Sequence, residues 1–84
     1  MNILTEAVFL ALAVKCAPGI APGTLLSLAY TESKFNADAV NINVDGSRDI
    51  GIMQINERNF VWLGLTPQTA KDPCESMRAA GQLL

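Results

Sequence analysis

The sequence predicts a mostly helical α+β fold with one small β-hairpin, and three observations carry that prediction. Two apolar stretches near the N-terminus, Ile3 to Lys15 and Leu25 to Ser33, have helical lengths and are separated by the turn-forming string APGIAPG. Val40, Ile42 and Val44 then alternate with polar residues, the two-residue period of a strand, and Asp45-Gly46 follows as a hairpin turn. A last helical signal comes near the C-terminus, where Asp72 and Pro73 precede an apolar face of Met77, Ala80, Leu83 and Leu84. Eighty-four residues leave room for one domain over residues 1–84, and a composition that is 50% hydrophobic supplies its core.

Taken in order, the first helix is expected from about Ile3 to Lys15. Its apolar run Ala7 to Val14 has the length of a signal-peptide core. However, no Lys or Arg precedes it and Glu6 stands where a positive charge belongs, so it reads as a helix of the folded domain. The run is also too short to span a bilayer, which argues against stable membrane insertion. Pro18, Gly19, Pro22 and Gly23 break the chain, and Thr24 is placed to cap the second helix, LLSLAYTES. A type I′ turn at Asp45-Gly46 sends the first strand back through RDIGIMQI as the second. Asn56 caps a short helix, ERNFVWLGL, which Gly64 stops. Asp72 caps the last helix, Pro73 suits its first position, and Glu75 completes a capping-box pattern. That helix reaches Leu84 without a stop signal, so the chain is expected to be cut short inside it.

Charge and composition exclude whole classes of chemistry. A net charge of −2 offers no basic patch for nucleic acid. The absence of histidine removes Ser-His-Asp and Cys-His catalysis and most zinc sites, so no metal and no cofactor is expected. Cys16 and Cys74 lie too far apart for a metal pair. They are either two buried thiols or a disulfide, the second being favoured in an exported protein.

Glu32 is the conspicuous charge. Counted from Leu25, Leu28, Ala29 and Glu32 fall at i+3, i+4 and i+7, which returns Glu32 to within roughly 20° of Leu25. On that stripe, and in the last helical turn, burial and the helix dipole both disfavour the anion. Glu32 is therefore expected to be a shielded acid that donates a proton. The simpler alternative is a helix that stops early and leaves an ordinary solvated glutamate. Asp49 on the returning strand brings a second carboxylate towards the helix end. Glycosidic cleavage uses a proton donor for the leaving oxygen and a group that stabilises or captures the oxocarbenium-like centre. Asn41, Asn43, Gln54 and Asn56 are amides able to bond sugar hydroxyls and acetamido groups, although each alone reads as a turn or strand-edge residue.

These residues also carry a resemblance. ESKFNADAVN followed by DGSRDIGIMQIN resembles the lysozyme-like superfamily. The match is closest to its SLT-type lytic transglycosylases associated with bacterial secretion, conjugation and pilus systems. Glu32-Ser33 matches that family's ES pair, Gly51 to Asn56 its G-[IL]-M-Q-I-N block, and DPCESMRAAGQLL its DPC segment, so the similarity runs from about Cys16 to Leu84. The same stretch is similar to animal-type lysozymes, whose acid glutamate and aspartate have this separation. The resemblance implies a lysozyme-like fold, a Cys16–Cys74 disulfide, Glu32 as general acid and Asp49 as the second carboxylate. It places Gln54 and Asn56 along the sugar-binding cleft with Ser33 supporting the acid, and makes Met53 and Ile55 core or cleft-floor residues; Asn43 joins this substrate-binding set as one of the amides.

The implied substrate is peptidoglycan, cut at the β-1,4 bond between N-acetylmuramic acid and N-acetylglucosamine with a 1,6-anhydro product. The implied setting is bacterial and periplasmic or otherwise extracytoplasmic, with secretion or conjugation machinery as a partner. The chain departs from the pattern at its end. Such transglycosylases continue past the DPC helix into a segment with a Tyr-Asn motif that helps close the cleft, so the domain is expected to be incomplete at its C-terminal end. Two alternatives stay open: a lysozyme-type hydrolase using Glu32 and Asp49, and a non-catalytic peptidoglycan-binding or assembly protein.

Overall fold

Helix α1 (Glu6–Cys16) begins later than its apolar run predicts, because Thr5 caps it: the Thr5 hydroxyl accepts a hydrogen bond from the Val8 amide at 3.2 Å. Ile3 instead forms an antiparallel bridge with Asn36, strapping the N-terminus to the loop that follows the second helix. The computed structural model describes residues 1–84. After α1 come α2 (Pro22–Ser33), β1 (Val40–Ile42), β2 (Arg48–Ile50), β3 (Ile55–Asn56), α3 (Phe60–Leu63) and α4 (Pro73–Leu83). Single 3₁₀ turns occupy Glu57–Asn59 and Thr69–Lys71. The α+β class is the one the sequence predicts, with a sheet one strand larger.

The start of α2 corrects the expected cap. Pro22 stands at its first position, Ala21 precedes it without a side-chain bond, and Thr24 lies inside the first turn. The fixed φ and missing N–H of proline suit a helix start, so the residue expected to break one helix begins the next. The helix ends at Lys34, whose φ of 52° is left-handed and whose amide donates to the Tyr30 carbonyl at 3.2 Å.

RDIGIMQI does not run as one strand. It divides into β2, a turn over Gly51 to Gln54, and β3, giving an antiparallel sheet in the order β1-β2-β3. The register pairs Asn41 with Asp49 and Asp49 with Asn56, so one polar row crosses all three strands. The hairpin turn also differs from type I′, which needs positive φ at both central positions. Only Gly46 has it, at 87°; Asp45 does not. Asp45 instead accepts from the Ser47 amide at 2.9 Å and the Ser47 hydroxyl at 2.6 Å, a side-chain turn that a negative φ permits. The loop closes through Gly46 N–H to the Asn43 carbonyl and Asn43 N–H to the Ser47 carbonyl, the three-residue pattern with a glycine bulge. Val44 sits at its tip, fully exposed.

Asn56 does cap the next segment, accepting from the Arg58 amide at 3.1 Å, but the segment opens as a 3₁₀ turn before α3, and Gly64 ends it at a φ of 71°. Asp72 caps α4 by accepting from the Glu75 amide at 3.0 Å. The reciprocal half of the capping box is absent, because the Glu75 carboxylate is taken by Arg78. Met77 and Ala80 of α4 are buried, whereas Leu83 and Leu84 are exposed.

Phe9 and Ala13 of α1, Leu25 and Ala29 of α2, Ile50 of β2, Ile52 of the turn and Met77 of α4 meet in one apolar core. Cys16 and Cys74 are joined in a disulfide with a Cα–Cα distance of 5.3 Å, tying the end of α1 to the start of α4. A loop of 58 residues closed this way stabilises the fold by about 4 kcal/mol in the chain-entropy account. Thermal unfolding with and without reductant is expected to show a drop of roughly 16 °C or more for a domain of this size. An unchanged melting temperature in the reduced protein would contradict it. No helix is long and apolar enough to cross a membrane.

Candidate active site

The site is organised by the turn Gly51-Ile52-Met53-Gln54. Two hydroxyls clamp it from different helices. Ser33 Oγ, at the end of α2, donates to the Ile52 carbonyl at 2.6 Å; Ser76 Oγ, fully buried in α4, accepts from the Met53 amide at 3.1 Å. Gln54, at a left-handed φ of 54°, braces the turn from inside. Its Nε2 donates to the Gly51 carbonyl at 3.0 Å and the Ala39 carbonyl at 3.1 Å, and its Oε1 accepts from Asn41 Nδ2 at 2.8 Å. With every polar group committed, buried or half-buried hydroxyls and amides of this kind specify one geometry.

The clamped turn forms one wall of an open groove of about 310 Å³. Leu28 and Glu32 of α2, Gln54, Asn56 and Asn59 from the sheet and the turns beside it, and Leu83 and Leu84 at the C-terminal end of the chain also line it. Glu32 is the one ionisable side chain among the lining residues. A larger hollow of about 550 Å³ lies on the other flank of α2, between Glu6, Leu26, Tyr30 and Phe35. Ser27 and Thr31 also line it, but no amide side chain does, so the amides of the sheet and the motif residue Glu32 point to the smaller groove.

Glu32 itself corrects the expectation of burial. It is exposed, and the buried line of α2 runs Leu25, Ala29 and Ser33. The stripe was centred on Leu25 and Leu28, but Ser33 takes the buried place because its hydroxyl has the Ile52 carbonyl to bond. Glu32 is left on the exposed flank, where it lines the groove together with Leu28.

The expected site residues divide into two groups. Glu32, Gln54 and Asn56 meet at the groove. Asp49 is half-buried and does not line it; Asn56 Nδ2 donates to Asp49 Oδ1 at 2.9 Å and joins the two. Asn43 is further out, its Nδ2 donating to Ser47 Oγ at 3.2 Å, and Ser47 Oγ also accepts from Asn56 Nδ2 at 3.1 Å. Ser33, 8% exposed, lies behind the groove and is a support, not a substrate contact. Asn59 and Ser76 were missed. Ser76 left one trace, a small hydroxyl residue between Cys74 and Met77 on the side of α4 that packs inward.

Ion pairs hold the outer hairpin. Ser47 hydrogen bonds, and then Arg58 at 2.8 Å, hold the Asp45 carboxyl below the usual carboxylate range. Arg48 does the same for Glu57, through its side chain and through an amide bond of 2.6 Å, and Arg48 is itself held above its ordinary value by Glu57. Both acids are lowered by folding, so their stabilisation is present above the unfolded carboxylate values near pH 4 and is lost as pH falls through the lower folded values. Protection of the Ser47 and Arg48 amides, relative to their intrinsic exchange rate at each pH, is therefore expected to fall below pH about 4, ahead of the core. Constant protection down to pH about 2 would contradict it.

A helix-end glutamate and the amides of a small sheet lining one open groove, in a disulfide-tied α+β domain, define the lysozyme-like class. Within that class, the transglycosylase SLT domain model matches residues 9–84, and the chain belongs to that family. Protein virB1 of Agrobacterium fabrum (strain C58) is 39% identical over 96% of this chain and 42% of its own length. Protein IpgF of Shigella flexneri is 41% identical over 75% of this chain and 45% of its own. Lysozyme C-3 of Anas platyrhynchos is 45% identical over 67% of this chain and 43% of its own. The chain thus spans less than half the length of each of these relatives. The virB1 alignment covers 104 residues, more than this chain holds, so that relative has additional residues inside the matched region.

Proposed function

We propose that this domain is a lytic transglycosylase that cuts the β-1,4 bond between N-acetylmuramic acid and N-acetylglucosamine in peptidoglycan. One observation carries the reading: the groove is lined by a single ionisable side chain, Glu32, together with the amide-bearing residues Gln54, Asn56 and Asn59. Glu32 gives its proton to the leaving glycosidic oxygen as the bond to the muramyl anomeric carbon breaks. The resulting carboxylate takes the proton of the muramyl 6-hydroxyl, whose oxygen bonds to that same carbon. The products are a free 4-hydroxyl on the released sugar and a 1,6-anhydro muramyl end, and Glu32 is again protonated. One carboxyl performs both transfers, and water, metal and cofactor have no part in either. The glycan strand itself supplies the cover that Glu32 lacks in the open groove.

The placement of Asp49 favours this route over a lysozyme-type hydrolysis. A nucleophilic second carboxylate needs to face the sugar beside the acid. Asp49 instead engages Asn56 and stays off the groove wall. Its role here is to orient the Asn56 amide. The similarity to secretion- and conjugation-associated transglycosylases supports an extracytoplasmic setting in which local opening of the wall admits an assembled apparatus. The test is digestion of purified cell walls with product masses read out. Muropeptide ends lighter by one water are expected, and hydrated reducing ends in their place would transfer the reaction to the hydrolases.

A further inference from the structure

Strand β1 forms an outer edge of the sheet, and its Val40 and Ile42 are exposed, Ile42 at 74%. Hydrogen bonds show which way its backbone groups point. Gly51 N–H donates to the Ala39 carbonyl and Asn43 N–H to the Ser47 carbonyl, so Ala39, Asn41 and Asn43 turn theirs towards β2. In an antiparallel ladder the alternate residues point the other way. The N–H and C=O of Val40 and Ile42 and the N–H of Val44 therefore face outward, and no other segment of the chain bonds them.

Exposed edges are commonly blunted by a lysine, a proline or an inward charge. Val40 to Val44 has none of these. The acids on either side are already paired, Asp38 with the N-terminal amine at 3.6 Å and Asp45 with Arg58 at 2.8 Å. The stretch reads Val-Asn-Ile-Asn-Val, the same in both directions. An antiparallel strand of the same sequence is therefore matched at every position when Ile42 faces Ile42: Val40 meets Val44 and Asn41 meets Asn43. Valine and isoleucine then gather on one face, and the asparagines on the face of the polar row Asn41-Asp49-Asn56. A second copy of this chain supplies the matching sequence, the free donors and acceptors and the uncharged edge together.

We propose that β1 is a dimerisation edge. Two copies join β1 to β1 about a two-fold axis through Ile42, so that two three-stranded sheets become one of six strands. Each Ile42 amide donates to the partner's Ile42 carbonyl, and each Val44 amide to the partner's Val40 carbonyl. The pairing consumes the free edge of β1 on both copies, so it closes at two. The contact is small, below the roughly 1,200 Å² of stable complexes, and the dissociation constant falls between about 10 μM and 1 mM. No groove-lining residue belongs to β1, so association and cleavage chemistry are separable.

The test is analytical ultracentrifugation from about 10 μM to 1 mM, where a reversible monomer–dimer equilibrium is expected. Amide exchange at the two ends of that range locates the contact. The Ile42 and Val44 amides should gain protection with concentration, while Asn41, already paired with Asp49 of β2, should not. Ile42→Lys sets like charges against each other at the axis and should weaken association by at least about tenfold, as should Ile42→Glu. Mixing the two variants should restore the dimer, because a two-fold through Ile42 places Lys opposite Glu. Ile42 is exposed, so neither change reaches the core; should either variant fail to fold, the exchange measurement on the unsubstituted chain decides. A monomer throughout the range, oligomers growing past two, protection that does not rise at Ile42, or a dimer that neither variant weakens would overturn the proposal. Weakened variants that do not recover on mixing would overturn the axis through Ile42.

Discussion

Glu32→Gln is expected to reduce wall digestion by at least about a hundredfold, the lower bound for loss of a positioned proton donor, while glycan binding persists. The near-equal shape of the two side chains keeps the groove walls where they are. Glu32 makes no hydrogen bond that holds the fold together, so the melting temperature should stay within about 2 °C. The three readouts separate the roles. Lost digestion with retained binding and folding identifies the proton donor. Continued clearing of walls by the Gln variant would remove Glu32 from the reaction. The parallel Asp49→Asn change retains an acceptor for Asn56 Nδ2 and should cost far less than the Glu32 change. An equal loss would restore Asp49 as a reacting group.

Gly51→Ala should be the most damaging single-methyl change in the chain. Gly51 holds a φ of 91°, which an L side chain rarely adopts. A Cβ there would overlap the Ala70 carbonyl oxygen and come within 3.2 Å of Ser76 Oγ, the hydroxyl that receives the Met53 amide. The strain and the overlap act together, and one of them strikes backbone that cannot rotate away. A loss of at least about 3 kcal/mol follows. In a domain of this size that lowers the melting temperature by roughly 12–24 °C. Gly19→Ala is the control, because nothing lies within 4 Å of a Cβ at that position. A melting temperature for Gly51→Ala within a few degrees of the Gly19→Ala value would show that the turn is not clamped as described. Because the turn presents Gln54 and leads into Asn56, activity should fall with stability in this variant.

Several features were legible because their signals act over three or four residues. Gly64 ends its helix with a left-handed cap, and Asp72 followed by Pro73 starts α4. The alternation of Val40 and Ile42 belongs to a real strand, and Glu32 of the first block and Met53 to Asn56 of the second do line one groove. The errors arose where a polar group had a choice of partners. Thr24 reads as a cap only if Pro22 is counted as a breaker. Asp45-Gly46 reads as a type I′ turn only if the Asp45 carboxylate is ignored. Glu75 completes a capping box only if Arg78 is elsewhere. In each case a nearby side chain or backbone group competed for the same bond and won.

Glu32 shows the same limit at the site itself. Hydropathy alone ranks a serine below a leucine for burial, so Ser33 could not be seen as the residue that turns inward. The Ile52 carbonyl, 19 positions away in the chain, makes that burial possible. Its inward turn swings Glu32 to the open flank.

The order of residues alone was enough to settle the α+β class, the helix ends set by Gly64 and Pro73, and the carboxylate and amides from which a groove would be made. Folding in three dimensions decided which of them face it. Hydroxyls of α2 and α4 grip the Gly51–Gln54 turn, Asn56 draws Asp49 aside, and Glu32 is left alone in the opening. The physical reason is range. Periodicity, caps and turn chemistry are exerted between neighbours in the chain. The partner that allows a polar group to be buried comes from wherever packing brings a free donor or acceptor within about 3 Å.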